Sequence, residues 1–292
     1  MQLCQNVNKN LCRTLLPLRA ETGNKGTFGT LLALCGSRDM PGAALLSGQA
    51  ALRCGVGLLA LAAPESVLRS AAMAMPEAVH LPMETDRDGL MTTEWFSKHV
   101  VGYSRANAVL FGCGLGRGSA ANTLCTRLLR QDTRPLVIDA DGLFALSQTM
   151  LHGTFDRPVI LTPHIGEMAR LTGLDISYIK EHRAQCACDL AQARRCVVVL
   201  KDYVTVIAAP DGRSWLLDRP NSGMAKGGSG DVLAGCIAAL LAQGLPAADA
   251  AILGVYLHSR AGELAANRYG THAMLPRDVI EHLPAAWLEL EQ

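Results

Sequence analysis

Short apolar runs alternate with longer segments of helical composition over the first two thirds of the chain. Each apolar run ends in a glycine-rich or polar turn, which is typical of a buried strand that leads into a helix. Strands are predicted at residues 30–35, 57–62, 108–111, 136–138 and 159–161. Helices are predicted at residues 41–54 and 119–130; a further helix begins at residue 64, and two others end at residues 147 and 171. This alternation predicts an α/β fold with a mainly parallel central sheet, covered by helices on both faces.

The pattern changes after Cys196. Three β-rich runs follow one another at residues 197–200, 204–208 and 214–217, and a Pro-Asp-Gly turn joins the last two. This spacing predicts an antiparallel meander appended to the sheet. Further helices are predicted at 232–242, 247–267 and 276–290. Residues 1–24 are interpreted as an N-terminal arm to which the pattern assigns no structure, and residues 1–292 as a single domain without linker or repeat.

Composition narrows the class of protein. The formal net charge is +1 and no long basic run occurs, so we expect no nucleic-acid partner. The longest apolar stretch, at residues 43–64, is interrupted by Gln49 and Arg53, so we expect no membrane span. The ten cysteines are scattered without a Cys-x-x-Cys pair, and no signal peptide is recognisable at the N-terminus. We therefore expect reduced thiols and a cytoplasmic location.

The glycine loop, residues 221–231, carries the strongest chemical signal. It contains Gly223, Gly227, Gly228 and Gly230 and leads directly into a predicted helix. The free amides at the start of that helix, together with the helix dipole, form a site for a phosphate group. Asp231 has two interpretations there: an N-cap, or a base directed at a substrate hydroxyl. The second is favoured, because a carboxylate that faced the anion would repel it.

Polar residues at other strand ends are further candidates. His164 is either a capping residue or part of a site, and Glu167 is placed to hold a hydrated Mg²⁺ ion through water. Asp139 and Asp141 are metal ligands or helix caps, with the cap favoured for Asp141. The glycines of residues 112–116 either permit close helix–strand packing or let the backbone approach a ligand. All these turns follow parallel strands, so we expect them at one edge of the sheet.

The Gly-x-Gly-Asp ending of the glycine loop resembles the ribokinase-like superfamily. Ordered motifs over about residues 25–262 resemble one branch of it, the nucleotide-dependent NAD(P)H-hydrate dehydratases. These motifs are Lys25-Gly26-x-x-Gly29, Pro41-Gly42-Ala43, Gly112-x-Gly114-Leu115-Gly116, Ile138-Asp139-Ala140-Asp141, Thr162-Pro163-His164-x-Gly166-Glu167-Met168, Lys201-x-x-x-Thr205, Met224-Ala225-x-Gly227-Gly228-x-Gly230-Asp231 and His258. The resemblance implies a ribokinase-like fold and the repair of hydrated NADH or NADPH, with ADP or ATP as co-substrate.

The resemblance also implies roles for individual positions. Asp231 would be the catalytic base, and the hydrated nicotinamide nucleotide would be bordered by Ala43, Gly114, Gly116, His164 and Asp231. The adenosine nucleotide would be bordered by Lys201, Asp202, Tyr203, Val204, Thr205, Gly227, Gly228 and Gly230. Stand-alone members of the family are often tetramers, so we expect a homo-oligomer. An NAD(P)HX epimerase is the expected pathway partner, as a separate protein.

Four residues depart from the family pattern. Asp202 replaces the usual glycine after the meander lysine, Cys113 a proline, Lys226 a threonine and Phe144 an asparagine. Asp202 would adopt a left-handed turn only at some cost, and Lys226 either assists the phosphates or is a solvated lysine. Two other classes stay open: a small-molecule kinase of the same fold, such as a hydroxyethylthiazole kinase, and a non-catalytic nucleotide-binding protein.

Overall fold

A computed structural model of the chain describes residues 4–84, 87, 95, 96, 100, 103–149 and 153–292. The strands in these ranges are β1 (Gln5–Asn6), β2 (Thr30–Leu34), β3 (Leu58–Pro64), β4 (Val79–Met83), β5 (Ala108–Phe111), β6 (Leu136–Ile138), β7 (Val159–Leu161), β8 (Val197–Leu200), β9 (Thr205–Ala208) and β10 (Ser214–Leu217). The helices are α1 (Lys9–Thr14), α2 (Pro41–Arg53), α3 (Glu65–Ala74), α4 (Ser119–Gln131), α5 (Asp141–Ser147), α6 (Ile165–Thr172), α7 (Ile176–Glu181), α8 (Arg183–Arg194), α9 (Ser229–Ala242), α10 (Ala247–Ala273) and α11 (Pro276–Glu291).

The described strands form one sheet in the order β1-β10-β9-β8-β7-β6-β5-β2-β3-β4. Strands β2 to β8 pair in parallel, whereas β9 is antiparallel to both β8 and β10. The predicted parallel sheet with an appended antiparallel meander is therefore confirmed.

Both faces of the sheet are buried. On β2, Leu31 and Ala33 belong to one apolar core and Leu32 and Leu34 to the other, as successive side chains point to opposite faces. Helices α2, α9 and α10 contribute to the first core, and α4, α6 and α8 to the second. This double covering explains why the parallel strands are continuously apolar rather than alternating.

The N-terminal region has structure that the hydrophobic pattern did not predict. Strand β1 pairs in parallel with β10, and the amide of Val7 donates to the carbonyl of Leu216 at 2.9 Å. Helix α1 follows and buries Cys12. The pattern also did not predict β4, α7 and α8. A two-residue edge strand has too few residues to show a period of two, so only its pairing partner defines it.

The strand register brings the candidate turns together. Phe111 is paired with Ile138, and Ile138 with Leu161, so the residues that follow these strands become neighbours. Accordingly, the amide of Asp139 donates to the carbonyl of Phe111 at 3.1 Å, and the amide of Thr162 to that of Ile138 at 3.2 Å. The predicted common edge is thus present.

Helix α9 lies against α2 and carries the glycine loop to this edge. The two helices approach so closely that a Cβ atom on Gly235 would lie 2.1 Å from the carbonyl oxygen of Ser47. Almost every residue of α9 after its first turn is buried. Within the described ranges, none of the helices has both the length and the apolar character needed to cross a membrane.

Candidate active site

A buried ion pair lies at the centre of the site. Lys201 Nζ donates to Asp139 Oδ1 at 2.7 Å, and Thr162 Oγ1 donates to the same oxygen at 2.6 Å. Burial alone would lower the pKa of Lys201, but the charges of Asp139 and Glu167 outweigh it and raise that pKa. Asp139 is therefore a buried acceptor for Lys201 and Thr162, and its side chain does not cap α5.

Asp231 lies in the first turn of α9, close to this pair. The N-cap of α9 is Gly228, and within the described residues no side chain caps the helix, so the N-cap interpretation of Asp231 is wrong. Burial, reinforced by the charge of Asp139, raises the pKa of Asp231 to about 6, although Cys113 and Lys201 act in the opposite direction. A carboxylate with a pKa near 6 is ionised at neutral pH and still basic enough to accept a proton.

His164 and Glu167 form the N-terminal cap of α6. His164 Nδ1 accepts from the amides of Gly166 at 3.0 Å and Glu167 at 3.2 Å, and Glu167 Oε2 accepts from the amide of His164 at 2.9 Å. The capping interpretation of His164 is therefore confirmed, and burial lowers the pKa of the imidazole. Burial also raises the pKa of Glu167 to about 7, with a further contribution from Asp139 that Lys201 opposes.

Asp141 does not cap its own helix, contrary to the sequence-based preference. Its Oδ2 accepts from the amide of Gly116 at 2.9 Å and its Oδ1 from Arg117 Nε at 3.0 Å. Asp141 therefore tethers the 112–116 turn to α5. The residue between the two aspartates, Ala140, has φ 49° and ψ −116°, a conformation that is strained for a residue with a Cβ atom.

The glycine turn after β5 permits close packing, one of the two purposes considered for it. A Cβ atom on Gly112 would lie 2.0 Å from the carbonyl oxygen of Asp139, so this glycine permits close packing of two turns. A Cβ atom on Gly114 would lie 2.6 Å from the Cβ atom of Ala43. Two of the positions predicted to border the nicotinamide nucleotide are therefore in direct proximity.

A cavity of about 860 Å³ opens beside the meander. Among the predicted nucleotide-binding residues, its lining includes Lys201, Asp202, Tyr203, Thr205 and Gly230, whereas Val204, Gly227 and Gly228 do not line it. His164, predicted to border the other ligand, also lines it, but Ala43, Gly114, Gly116 and Asp231 lie outside. The cavity therefore adjoins the site of Asp139 and Asp231: Lys201 pairs with Asp139 and lines the cavity, and Gly230, which also lines it, precedes Asp231 in the chain.

Nothing in the sequence indicated that two of the cationic residues that line the cavity belong to the site. Lys180 comes from α7 and Arg219 from the segment after β10, and both line the cavity. Their neighbours in the chain form no motif, because only the packing of α7 and the meander brings them together.

His258 also lines the cavity; burial lowers its pKa to about 4, and among the described residues its Nε2 has no hydrogen-bond partner.

The departures from the family pattern have structural explanations. Lys226 Nζ donates to the carbonyl of His272 at 2.7 Å, so it is not merely solvated, and it also lines the cavity. Outside glycine, the described residues with positive φ are Ala140 and Arg195, so Asp202 does not adopt a left-handed turn and the conformational cost considered for it does not arise. The Asp202 carboxylate instead accepts from Arg183 at 2.9 Å. Phe144 stacks beneath the guanidinium groups of Arg117 and Arg170.

The mainly parallel sheet, the glycine loop at the start of a buried helix and the adjoining cavity define a ribokinase-like α/β protein. A model of the NAD(P)H-hydrate dehydratase family matches residues 31–285. The chain belongs to this family.

Similar proteins agree with this assignment. The ADP-dependent (S)-NAD(P)H-hydrate dehydratase of Bacillus subtilis is 36% identical over 280 residues, which cover 96% of this chain and 96% of that protein. The bifunctional NAD(P)H-hydrate repair enzyme Nnr of Moorella thermoacetica is 38% identical and matches 99% of this chain, which spans only 56% of that longer protein. The Bacillus subtilis ADP/ATP-dependent dehydratase co-crystallised with ATP/Mg²⁺ superposes with a TM-score of 0.85 at 32% identity, covering 99% of this chain and 100% of that one.

Proposed function

We propose that the chain catalyses the nucleotide-dependent dehydration of (6S)-NADHX and (6S)-NADPHX to NADH and NADPH, with ADP favoured over ATP as co-substrate. The observation that carries the proposal is the position of Asp231. A carboxylate with a pKa of about 6 lies in the first turn of α9, at the end of the glycine loop and beside the cavity. Family membership supplies the substrate, and the site supplies a base next to an anion-binding helix start.

The chemistry explains why a dehydratase uses a nucleotide. The hydroxyl of the hydrated nicotinamide ring is a poor leaving group. Its oxygen attacks the terminal phosphorus of ADP, forming a new oxygen–phosphorus bond while the bond to the bridging oxygen breaks and AMP leaves. Asp231 accepts the hydroxyl proton. Elimination of phosphate then breaks the carbon–oxygen bond, and loss of a ring proton restores the double bond.

The two ligands are assigned to adjacent regions. The hydrated nicotinamide is assigned to Ala43, Gly114, Gly116 and His164, and the adenosine nucleotide to the cavity at the meander. The amides of Gly227, Gly228 and Gly230, at the start of α9, stabilise charge on the transferred phosphoryl group. Lys201 is the link between both regions, since it pairs with Asp139 and lines the cavity.

Glu167 is the residue proposed to hold magnesium through water. Its chemistry fits: Glu167 is 6% exposed, burial raises its pKa to about 7, and among the described residues the contact to its Oε1 is the 3.5 Å approach of His164 Nε2. Magnesium, when bound, would neutralise phosphoryl charge.

Because glutamine also serves in a capping box, Glu167→Gln should preserve α6 yet raise the Mg²⁺ concentration for half-maximal activity by about tenfold. Magnesium titrations would check this, with the exposed Glu181→Gln as control; an unchanged requirement would exclude Glu167.

The alternative of a small-molecule kinase has less support, since the matching family and the most similar relatives are dehydratases.

A homo-oligomer, a cytoplasmic location and a pathway partner with epimerase activity remain predictions. The fused repair enzyme of Moorella thermoacetica is bifunctional by name, which is consistent with a second activity acting alongside this one.

Asp231→Asn tests the proposed mechanism. The variant keeps the shape of the side chain but cannot accept the proton, so turnover should fall by about 10²–10⁴-fold while the protein still folds. The measurement is the absorbance of reduced nicotinamide formed from NADHX and ADP. Asp189→Asn, which alters an exposed carboxylate on α8, should keep full turnover. Retention of more than about a tenth of turnover in Asp231→Asn would exclude the base assignment.

A further inference from the structure

Cys113 lies at the contact between the two central carboxylates. It follows Gly112 in the turn after β5, and its side chain is fully buried. The thiol Sγ donates to Asp139 Oδ2 at 3.8 Å, and Cys113 Sγ, an Asp139 oxygen and an Asp231 oxygen all lie within 4.8 Å of one another. A buried cysteine usually packs as a small apolar group, but this thiol faces carboxylate oxygens.

The surroundings keep this thiol protonated. A hydrogen bond with Cys35, burial and the charges of Asp139 and Asp231 all raise the pKa of Cys113 well above its usual value. The sulfur therefore carries its proton throughout the working pH range, and the side chain is a donor. One Asp139 oxygen is already engaged by Lys201 and Thr162, so the thiol contacts the other oxygen, on the side of Asp231.

We propose that Cys113 is a positioning residue, whose S–H hydrogen bond to Asp139 Oδ2 weakens the repulsion between Asp139 and the neighbouring Asp231 carboxylate and so keeps Asp231 in the orientation in which it accepts the substrate proton. The proposal rests on the proposed role of Asp231 as the base. Without the thiol, the two carboxylates would face each other with Lys201 as the nearby cation. A hydrogen bond from a neutral donor reduces this repulsion without adding a charge that would suppress the basicity of Asp231.

The pH dependence of the reaction distinguishes positioning from simple packing. The groups that act on Asp231 are Asp139 and Asp141, which raise its pKa, and Cys113 and Lys201, which lower it. Cys113→Ala removes only the thiol's contribution to the pKa of Asp231. The acidic limb of the kcat/KM profile should therefore move to higher pH by roughly 0.5–1 pH unit. Cys113→Ser supplies a stronger donor and should move the limb in the opposite direction. A residue that only fills space would alter stability or turnover and leave the limb in place.

The experiment compares pH profiles of kcat/KM for the parent, Cys113→Ala and Cys113→Ser. Cys125→Ala is the matched control, because it removes another buried thiol, on α4 in the opposite core. The control should leave the limb unchanged. Limbs that coincide in all four proteins would overturn the role of Cys113, and so would an upward shift in Cys113→Ser. If Cys113→Ala fails to fold, the serine variant alone decides, through the direction of its shift.

Failure of the base assignment is separable from failure of this inference. If Asp231→Asn is inactive while Cys113→Ala leaves the limb in place, only the positioning role is excluded. If Asp231→Asn keeps its turnover, the base assignment fails. In that case the pKa of the Asp231 carboxyl, followed by carbon NMR in the parent and in Cys113→Ala, still tests the hydrogen bond. A higher Asp231 pKa in the variant supports it, and an unchanged value overturns it.

Discussion

At the scale of single residues, the site places ionisable groups where they are costly to charge. Asp231 shares its surroundings with Asp139, and burial raises the pKa of Asp231, which the charge of Lys201 offsets only in part. Ala140, between Asp139 and Asp141, has a strained backbone. Such features concentrate where function requires them, because they lower stability without improving packing.

The first residue-scale prediction concerns stability against pH. The pKa of Asp231 is about 6 in the folded state against a reference of 3.8, so the folded state binds this proton more tightly. The stabilising contribution is complete below the reference value and is lost as the pH rises from 3.8 to about 6. Asp231→Asn, which cannot ionise, should therefore exceed the parent in free energy of unfolding by up to about 3 kcal/mol at pH 7.

Urea unfolding between pH 4 and pH 8 would measure this difference. The gap between Asp231→Asn and the parent should narrow steadily towards the acidic end of the range. Asp189→Asn, the exposed control, should track the parent throughout. A parent that is more stable than Asp231→Asn at pH 7 would contradict the destabilising role assigned to this carboxylate.

At the scale of elements, the start of α9 depends on the conformation of one glycine. Gly228 has φ 100°, and a Cβ atom there would lie 2.5 Å from Leu46 Cδ1. Gly227, its neighbour, has no atom within 4 Å of the equivalent position and does not have positive φ. Gly227 and Gly228 therefore allow the same substitution to be compared at a position that requires glycine and at a neighbouring position that does not.

The element-scale prediction uses that pair. Gly228→Ala should lower the free energy of unfolding by at least about 1–2 kcal/mol, the cost of a left-handed residue with a Cβ atom. It should also raise the KM for ADP, because the strained loop would shift the first amides of α9. Gly227→Ala should stay within about 0.5 kcal/mol of the parent. Denaturation curves and ADP titrations would check both; equal effects would show that loop conformation is not the determinant.

At the scale of the whole molecule, β1 closes one edge of the sheet. It pairs with β10, which carries the cavity residue Leu217 at its end, and Val7 is 6% exposed. An unpaired edge strand leaves free backbone groups and favours association with other chains. The N-terminal segment therefore acts as part of the sheet rather than as a loose arm.

The whole-molecule prediction is that deletion of residues 1–7 lowers the free energy of unfolding by about 1.5–3 kcal/mol, the value of one buried valine, and promotes aggregation on warming. Urea unfolding and light scattering would measure the two effects. Val7→Ala keeps β1 while removing most of the side chain, so it should lose stability without increased aggregation. If the deletion variant unfolds and scatters like the parent, β1 contributes nothing to the sheet.

The alternation of the central strands and helices, the meander and the glycine loop follow from local patterns in the chain, whereas β1, α1, β4, α7 and α8 do not. Periodicity, glycine and proline act over a few residues, so the alternation at residues 30–171 and the glycines at 221–231 predict these features without knowledge of the fold. The helix that follows Asp231 was predictable for the same reason. The family motifs added substrate and nucleotide positions, and Lys201, Gly230 and His164 do line the cavity.

Contacts between distant parts of the chain were decided only by the folded structure. Lys201 meets Asp139 across 62 residues, and Cys113 meets Asp139 across 26, because the register of β5 to β8 brings the ends of these strands together. Asp141 contacts the 112–116 turn instead of capping α5 for the same reason. The charge state of a carboxylate depends on burial and on neighbours from other elements, and neither quantity is encoded in the residues beside it.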